Sequence, residues 1–234
     1  AAGGIGSAIV AELANGGAAV AAWDLDGPRA KQSVEGRGSC TAVEVDITDR
    51  SSVEAALQAT EEQLGPVTVL VNNAGIDKIE RFVDSEETTW ERIVAVNFLG
   101  TVRCCHVVVP GMADRGRGSV ICIASDAGRV GSSGEVVYSG TKGGVIAFAK
   151  SLAREVAADG VRVNVVCPGP TDTPLLDQVA QASQKLYDGL ARAVPMRRIG
   201  QPADIAPVVA FLASEGAAYI TGQTVSVSGG LTMA

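Results

Sequence analysis

Residues 1–26 read AAGGIGSAIVAELANGGAAVAAWDLD, and the order of features in this stretch decides the fold. A glycine cluster, Gly3-Gly4-Ile5-Gly6, leads into Ile5–Asn15, where Ile9, Val10 and Leu13 share one helical face. The apolar run Ala18–Trp23 then reads as a buried strand closed by Asp24. Glycines let a backbone approach a pyrophosphate, and the helix that follows offers free N–H groups and a positive dipole end. Asp24 stands eighteen residues after Gly6, where a carboxylate accepts hydrogen bonds from adenosine ribose hydroxyls. A glycine turn alone is weak evidence; followed by a helix, a strand and an acid it defines a dinucleotide site, with Gly4, Ile5, Gly6 and Asp24 as its contacts. A carboxylate there repels a 2′-phosphate, and the nearest cations are Arg29 and Lys31. NAD(H) is therefore expected over NADP(H).

The alternation continues downstream. Strands are expected at Cys40–Val45, Val67–Val71, Ser119–Ala124, Val161–Val166 and Thr224–Val227. Helices are expected at Ala30–Glu35, Arg50–Leu64, Thr88–Ala113, Glu135–Ala158 and Ala203–Leu212. Short apolar strands between longer helices imply an α/β fold: a Rossmann-type, doubly wound parallel sheet covered on both faces. No repeat or low-complexity linker divides the chain, so residues 1–234 read as one domain. A dinucleotide fold places a strand before the glycine turn, in the sheet centre. None precedes it here, so the sheet is expected to carry a gap, and further N-terminal residues are expected in the natural protein.

With 47% hydrophobic and 19% charged residues the chain is globular. Only 4% of residues are aromatic, so Ala, Val, Leu and Ile must build the core. A net charge of −7 argues against nonspecific nucleic-acid binding and against an anionic membrane surface. The five cysteines show no CxxC spacing and read as reduced thiols of a cytoplasmic protein. His106 has no second histidine or cysteine pair with it, so no metal site is expected.

Tyr138 and Lys142 stand four residues apart, on one helical face, and Ser125 lies thirteen residues before the tyrosine. A cation one turn from a phenol favours the phenolate, and a hydroxyl held nearby steadies a carbonyl oxygen as charge develops on it. Tyr138 is thus the candidate general acid/base, Lys142 its modulator and Ser125 the group that orients the substrate oxygen. Asn97, within the apolar stretch Val94–Phe98, needs a polar partner. An i,i+4 pair alone is common; the added serine and the cofactor motifs give it a purpose.

With Gly3-Gly4-Ile5-Gly6, Asn72-Asn73-Ala74-Gly75, Ser125, Tyr138-x-x-x-Lys142 and Pro168-Gly169 in order, the chain resembles the short-chain dehydrogenase/reductases over essentially its whole length. The resemblance implies hydride exchange between NAD and a secondary alcohol or ketone. It implies adenine contacts at Asp46 and Ile47, and an adenosine ribose passed by Asn73, Ala74 and Gly75. Pro168, Gly169, Thr171 and Thr173 would hold the nicotinamide carboxamide, with Thr171 replacing the family's usual aliphatic residue. Lys142 would hold the nicotinamide ribose beside Tyr138. Asn97 would keep a water that joins the lysine to solvent. The helix carrying Gly140, Gly143 and Gly144 would pair across a subunit interface, giving a homotetramer or homodimer.

Within the family, the segments Ala124–Glu135, Asn164–Thr173 and Ser226–Met233 resemble 2-hydroxycyclohexanecarboxyl-CoA dehydrogenases, implying a cyclic β-hydroxyacyl-CoA substrate. Residues 174–200 are expected to form a helical lid, with Leu175, Leu176, Val179, Leu186 and Leu190 on its apolar face. Ser132, Ser133 and Glu135 are candidate pocket residues, and Lys185, Arg197 and Arg198 are candidates for CoA phosphates or simply a solvated basic cluster. Three other readings stay open: a 3-oxoacyl carrier-protein reductase, a dehydrogenase of free secondary or cyclic alcohols, and a catalytically silent NAD-binding sensor.

Overall fold

The computed structural model describes residues 1–174, 176 and 184–233. Helix α1 (Gly4–Asn15) is followed by β1 (Val20–Asp24), α2 (Gly27–Val34), β2 (Cys40–Glu44) and α3 (Arg50–Leu64). The start of α2 is capped by Asp26, whose side chain accepts from the Arg29 amide, and α3 is capped in the same way by Asp49. β3 (Val69–Asn72) precedes a continuous helical stretch made of α4 (Glu87–Val94), a π-helical segment (Ala95–Gly100) and α5 (Thr101–Asp114). β4 (Gly118–Ile123), α6 (Ala127–Val130), α7 (Val136–Val156) and β5 (Val161–Pro168) come next. α8 (Gln184–Ala193), α9 (Pro202–Ala213) and β6 (Thr224–Val227) complete the order.

All strand pairs are parallel, in two pieces: β1 with β2, and β3-β4-β5-β6. The expected gap is present. A cavity of about 420 Å³ separates the pieces, lined from one side by Val20, Ala21 and Trp23 and from the other by Val69, Leu70 and Val71. β4 shows why the larger piece must be covered on both faces. Val120 and Cys122 join a core built with α3, α5 and α7, whereas Ile121 and Ile123 join a second core built with α1 and α9. That is the period-two alternation of a strand apolar on both sides. In β5, Val163, Val165 and Cys167 face the first core and Val166 the second. Asn164, fully buried between them, bonds the Ile220 carbonyl and the Gln223 amide, which ties β5 to the approach of β6.

The stretch Glu87–Asp114 is long and apolar enough, by length and composition, to cross a membrane. Its apolar residues Cys104, Cys105, Val108, Val109 and Met112 are members of the first core. The sequence predicts one uniform helix over Thr88–Ala113; the structure interrupts it with the wider π turn at Ala95–Gly100. Such turns recur at functional positions because they re-aim a side chain without ending the helix. Gly100 sits there because a Cβ would lie 2.6 Å from Ile47 Cδ1. The cysteines are free, all but Cys40 buried, and His106 is exposed on α5.

Candidate active site

Tyr138 and Lys142 lie one turn apart on the buried face of α7, whose other inward residues, Val145, Ala149, Ala153 and Val156, anchor the helix in the first core. Ser125 enters just beyond β4, after the Ala124 amide makes a last bond to the Val166 carbonyl at 2.8 Å. Its Oγ accepts from the Ala127 amide at 3.1 Å, which leaves its own proton free, and the serine acts on Tyr138 by opposing the rise of the phenol's pKa. The short helix α6 packs backbone to backbone on α7. A Cβ on Gly128 would fall 2.6 Å from the Lys142 carbonyl carbon, and one on Gly143 would lie 3.1 Å from the Gly128 oxygen. Close intrachain packing therefore accounts for Gly143, while Gly140 faces open space. Gly128→Ala should separate the two helices, lowering stability by about 1–3 kcal/mol and reducing activity with it; denaturant midpoints and kcat measured side by side check this.

Burial governs the titration of this site. Tyr138 is raised well above an ordinary phenol: burial dominates, the bond from Ser125 opposes it, and Glu135, Asp77 and Cys167 add to the rise. Lys142 is pushed down to about 8, again by burial, against the opposing pull of Cys122, Cys167 and Asp77. The expected lowering of the phenol by the lysine is therefore not what the cofactor-free chain displays. The reason is geometric: Lys142 Nζ donates to the Ile123 carbonyl at 2.9 Å and lies over the tyrosine ring, 5.6 Å from its centroid.

Asn97 projects from the π segment and is wholly buried. It bonds neither its own helix nor a surface group. Its Oδ1 accepts from the Ile76 amide and its Nδ2 donates to the Ile76 carbonyl, both at 2.8 Å. This clamp fixes the chain just beyond β3, next to Gly75. A Cβ on Gly75 would lie 3.2 Å from Lys142 Nζ and 3.6 Å from Asn97 Oδ1. The structure thus brings Asn97, Ser125, Tyr138 and Lys142 together around the end of the sheet.

The expected cofactor residues converge on the same end. At the start of α1 the amides of Gly4, Ile5 and Gly6 have no helical acceptor of their own, as at any helix N-terminus, while the Ile5 side chain packs into the second core. Gly4 touches the far loop, since a Cβ there would lie 3.1 Å from Thr173 Cγ2. Asp24 Oδ2 accepts from the Ala2 amide at 2.7 Å and Oδ1 from the Asp26 amide at 3.0 Å, so backbone donors on either side hold the carboxylate at the end of β1. Arg29 reaches the Ala2 carbonyl at 3.5 Å, which puts a cation beside the turn.

Asp46 Oδ1 accepts from the hydroxyl and amide of Thr48, which hold its carboxyl low, and the Ile47 carbonyl accepts from Arg103 at 2.7 Å. Asn73 is half-buried and Ala74 and Gly75 are exposed at the sheet end, as a close-approach surface requires. Pro168 ends β5, and Gly169 runs against Ser228, where a Cβ would sit 2.7 Å from the serine Cβ. Thr171 turns its hydroxyl back to the Gly169 carbonyl at 2.9 Å, so the replacement of an aliphatic residue is absorbed within the loop. Thr173 Oγ1 donates to the Thr171 carbonyl at 3.2 Å.

Among the substrate-side expectations, Arg198 is committed elsewhere: it grips Asp204, the first-turn acid of α9, through both terminal nitrogens. Arg197 donates to the Arg192 carbonyl at 2.6 Å. Leu175 and Val179 lie outside the described residues, as do the side chains of Lys185 and Leu186. Sequence reasoning passed over Asp77, which stands beside Glu135 and Tyr138 in a cleft also lined by Phe82, Trp90 and Ile93. A lone acid in a loop carries no pattern that marks it. Tyr138 opens into this cleft and not into the larger cavity in the parted sheet.

A fold with Ser125, Tyr138 and Lys142 at the carboxyl end of a parallel sheet, opposite a glycine turn, defines a class, and the comparisons place the chain in it. The family model described as enoyl-(acyl carrier protein) reductase matches residues 1–232. The chain belongs to the short-chain dehydrogenase/reductase family, and it is an NAD(P)-dependent oxidoreductase acting on CH–OH groups. It is 38% identical to the (3R)-3-hydroxyacyl-CoA dehydrogenase of Rattus norvegicus, over 98% of this chain and 93% of that protein. It is also 38% identical to the 3-oxoacyl-acyl-carrier-protein reductase FabG of Vibrio cholerae, again over 98% and 93%. A crystal structure named as the ribose-5-phosphate isomerase of Brucella melitensis 16M superposes with a TM-score of 0.93 at 35% identity, covering 98% of this chain and 88% of that one. A shared fold does not carry a shared reaction; the tetrad has to.

Proposed function

We propose that the chain is an NAD-dependent dehydrogenase that interconverts a β-hydroxyacyl thioester and its β-keto form, with a cyclic acyl group such as that of 2-hydroxycyclohexanecarboxyl-CoA. The observation that carries the reaction class is the grouping around Tyr138: the Ser125 hydroxyl acts on its phenol and Lys142 Nζ lies over its ring, 5.6 Å from the centroid. The relatives named for 3-hydroxyacyl-CoA and 3-oxoacyl carrier-protein chemistry support an acyl thioester. NAD, when bound, supplies the hydride acceptor. The α1 amides would meet its pyrophosphate, Asp24 its adenosine ribose, and Gly75 leaves room that a side chain would fill. Asp24 favours NAD, and Arg29 is the nearby cation that NADP would need.

In this reading Ser125 orients the substrate oxygen and Tyr138 takes the alcohol proton during oxidation or returns it during reduction. Lys142 and the Asn97–Ile76 clamp fix the tyrosine's surroundings. The chain works as a homodimer or homotetramer, and its buried free thiols suit the cytoplasm. One experiment tests the whole reading. Full-length protein is assayed with NAD and NADP, each against 2-hydroxycyclohexanecarboxyl-CoA, a linear 3-hydroxyacyl-CoA and simple cyclic alcohols. Fast NAD-dependent oxidation of the cyclic thioester is expected. Turnover of free alcohols alone would discard the thioester, and kcat/KM favouring NADP would discard the role given to Asp24.

A further inference from the structure

One acid near the reacting centre has no place in the tetrad. Asp77 follows Ile76, the residue clamped by Asn97, and both its carboxyl oxygens are sealed from solvent without a well-formed hydrogen bond. The groups acting on them are the Glu135 carboxyl and the Lys78 amide. Glu135 caps the start of α7, three residues before Tyr138, and both acids line the cleft that opens beside the tyrosine. The cleft also has an apolar wall, where Phe82 stacks on Trp90 at 5.4 Å beside Ile93, and a polar one that includes Lys78 and Glu80.

Two carboxylates in one poorly solvated place cannot both ionise at low cost. Burial and the Glu135 carboxyl push Asp77 up to about 7, with Glu80 adding to the rise and the Lys78 amide opposing it. Every charge facing the pair can be named. Glu80 is held by Lys78 at 2.8 Å, and from α7 come Tyr138 and Lys142, both of which feel Asp77. The one cation on this list close to the reacting centre, Lys142, is turned to the Ile123 carbonyl.

We propose that Asp77 and Glu135 share one proton and act as a specificity element of the substrate cleft, admitting a neutral hydrogen-bonding group next to the reacting carbon and rejecting a carboxylate there. The inference deepens the proposed function and rests on it in one respect: a thioester is such a neutral group, whereas the free hydroxy acid is not. Asp77 is sealed in, so it is the half-buried Glu135, at the cleft wall, that presents the pair's proton to a thioester or ketone oxygen, and the pair's residual negative charge repels an anion. As pH rises the proton leaves, the charge on the cleft doubles, and rejection of the anion strengthens.

Two measurements test this, and only one depends on the substrate. Infrared difference titration of the whole protein should show a protonated-carboxyl band that is lost near neutral pH and is absent in Asp77→Asn. In parallel, kcat/KM is compared for a hydroxyacyl-CoA and its free hydroxy acid at pH 6 and pH 8.5. Wild type should prefer the thioester by about 100-fold or more, and more strongly at the higher pH. Asp77→Asn combined with Glu135→Gln should cut the preference about tenfold, through KM of the acid, and make it independent of pH. If the thioester is not a substrate but a neutral cyclic alcohol is, the function reading falls and the alcohol is compared with its carboxylate-bearing analogue instead. Absence of the band above pH 5, or a preference unmoved by the double substitution, overturns the inference. NADH binding and thermal midpoint in both variants separate a local effect from misfolding, which would lower both.

Discussion

Tyr138→Phe is expected to lower kcat by about 10²–10⁴-fold, the usual contribution of a positioned acid/base, while NADH affinity stays nearly as it was. The substitution removes one oxygen and keeps a ring that is only 9% exposed. Packing of α7 on the first core is carried by Val145, Ala149, Ala153 and Val156, none of which touches that oxygen's role. What disappears is the phenol that the Ser125 hydroxyl acts on, the group assigned to exchange the alcohol proton. Burial holds that proton on the phenol more tightly than on an ordinary tyrosine, and the Ser125 hydroxyl works against it. A loss in kcat with KM unchanged would mark an interaction made in the transition state. Substantial turnover in the phenylalanine variant would remove the tyrosine from the reaction and leave Lys142 without a catalytic purpose. Isothermal titration with NADH alongside stopped-flow hydride transfer separates the two outcomes.

Much of this was legible in the residues, for physical reasons that differ from element to element. β4 and β5 could be read because each is an apolar run bounded by breakers, and the structure buries every residue of β4. The glycine turn and Asp24 were readable because only small residues permit the close approaches now measured at Gly4 and Gly6. Element ends were less so: β3 runs Val69–Asn72 where the apolar pattern begins at Val67, because pairing with β4 sets the limits of a strand. The π segment could not be read at all, since its apolar spacing is the same as that of the helix around it. Asn97 was recognisable as a buried polar residue in need of a partner, but its partner, Ile76, is a backbone group twenty-one residues earlier, and no side-chain pattern announces a backbone bond. Arg198 could be read from its charge either as a phosphate contact or as part of a solvated basic cluster, and its pairing with Asp204 is visible only in the fold.

Asn97→Ala is the second substitution with a large expected effect, and it acts on stability and catalysis together. It leaves the part-buried Ile76 amide and carbonyl without partners, since both bonds of the clamp end on this one side chain. Stranding a buried polar group costs about 1–3 kcal/mol, and at this half-buried place the lower part of that range applies to each, a total of about 2–3 kcal/mol. For a chain of this size that lowers the thermal midpoint by roughly 4–12 °C. The catalytic loss follows from position: a loosened Ile76 frees Gly75, where a Cβ would lie only 3.2 Å from Lys142 Nζ. Asn97→Asp separates the two effects. It keeps the acceptor for the Ile76 amide, faces the Ile76 carbonyl with an oxygen in place of a donor, and sets a carboxylate near a lysine that burial now holds at about 8. A neighbouring anion raises a lysine pKa, so the alkaline limb of the pH–rate profile assigned to Lys142 should move upward in Asn97→Asp. Asn97→Ala, adding no charge, should leave that limb in place while losing kcat and stability. If the aspartate variant shows no shift and the alanine variant melts at the wild-type temperature, Asn97 neither clamps the Ile76 segment nor reaches the lysine, and the proton route through this side of the site has to be drawn elsewhere.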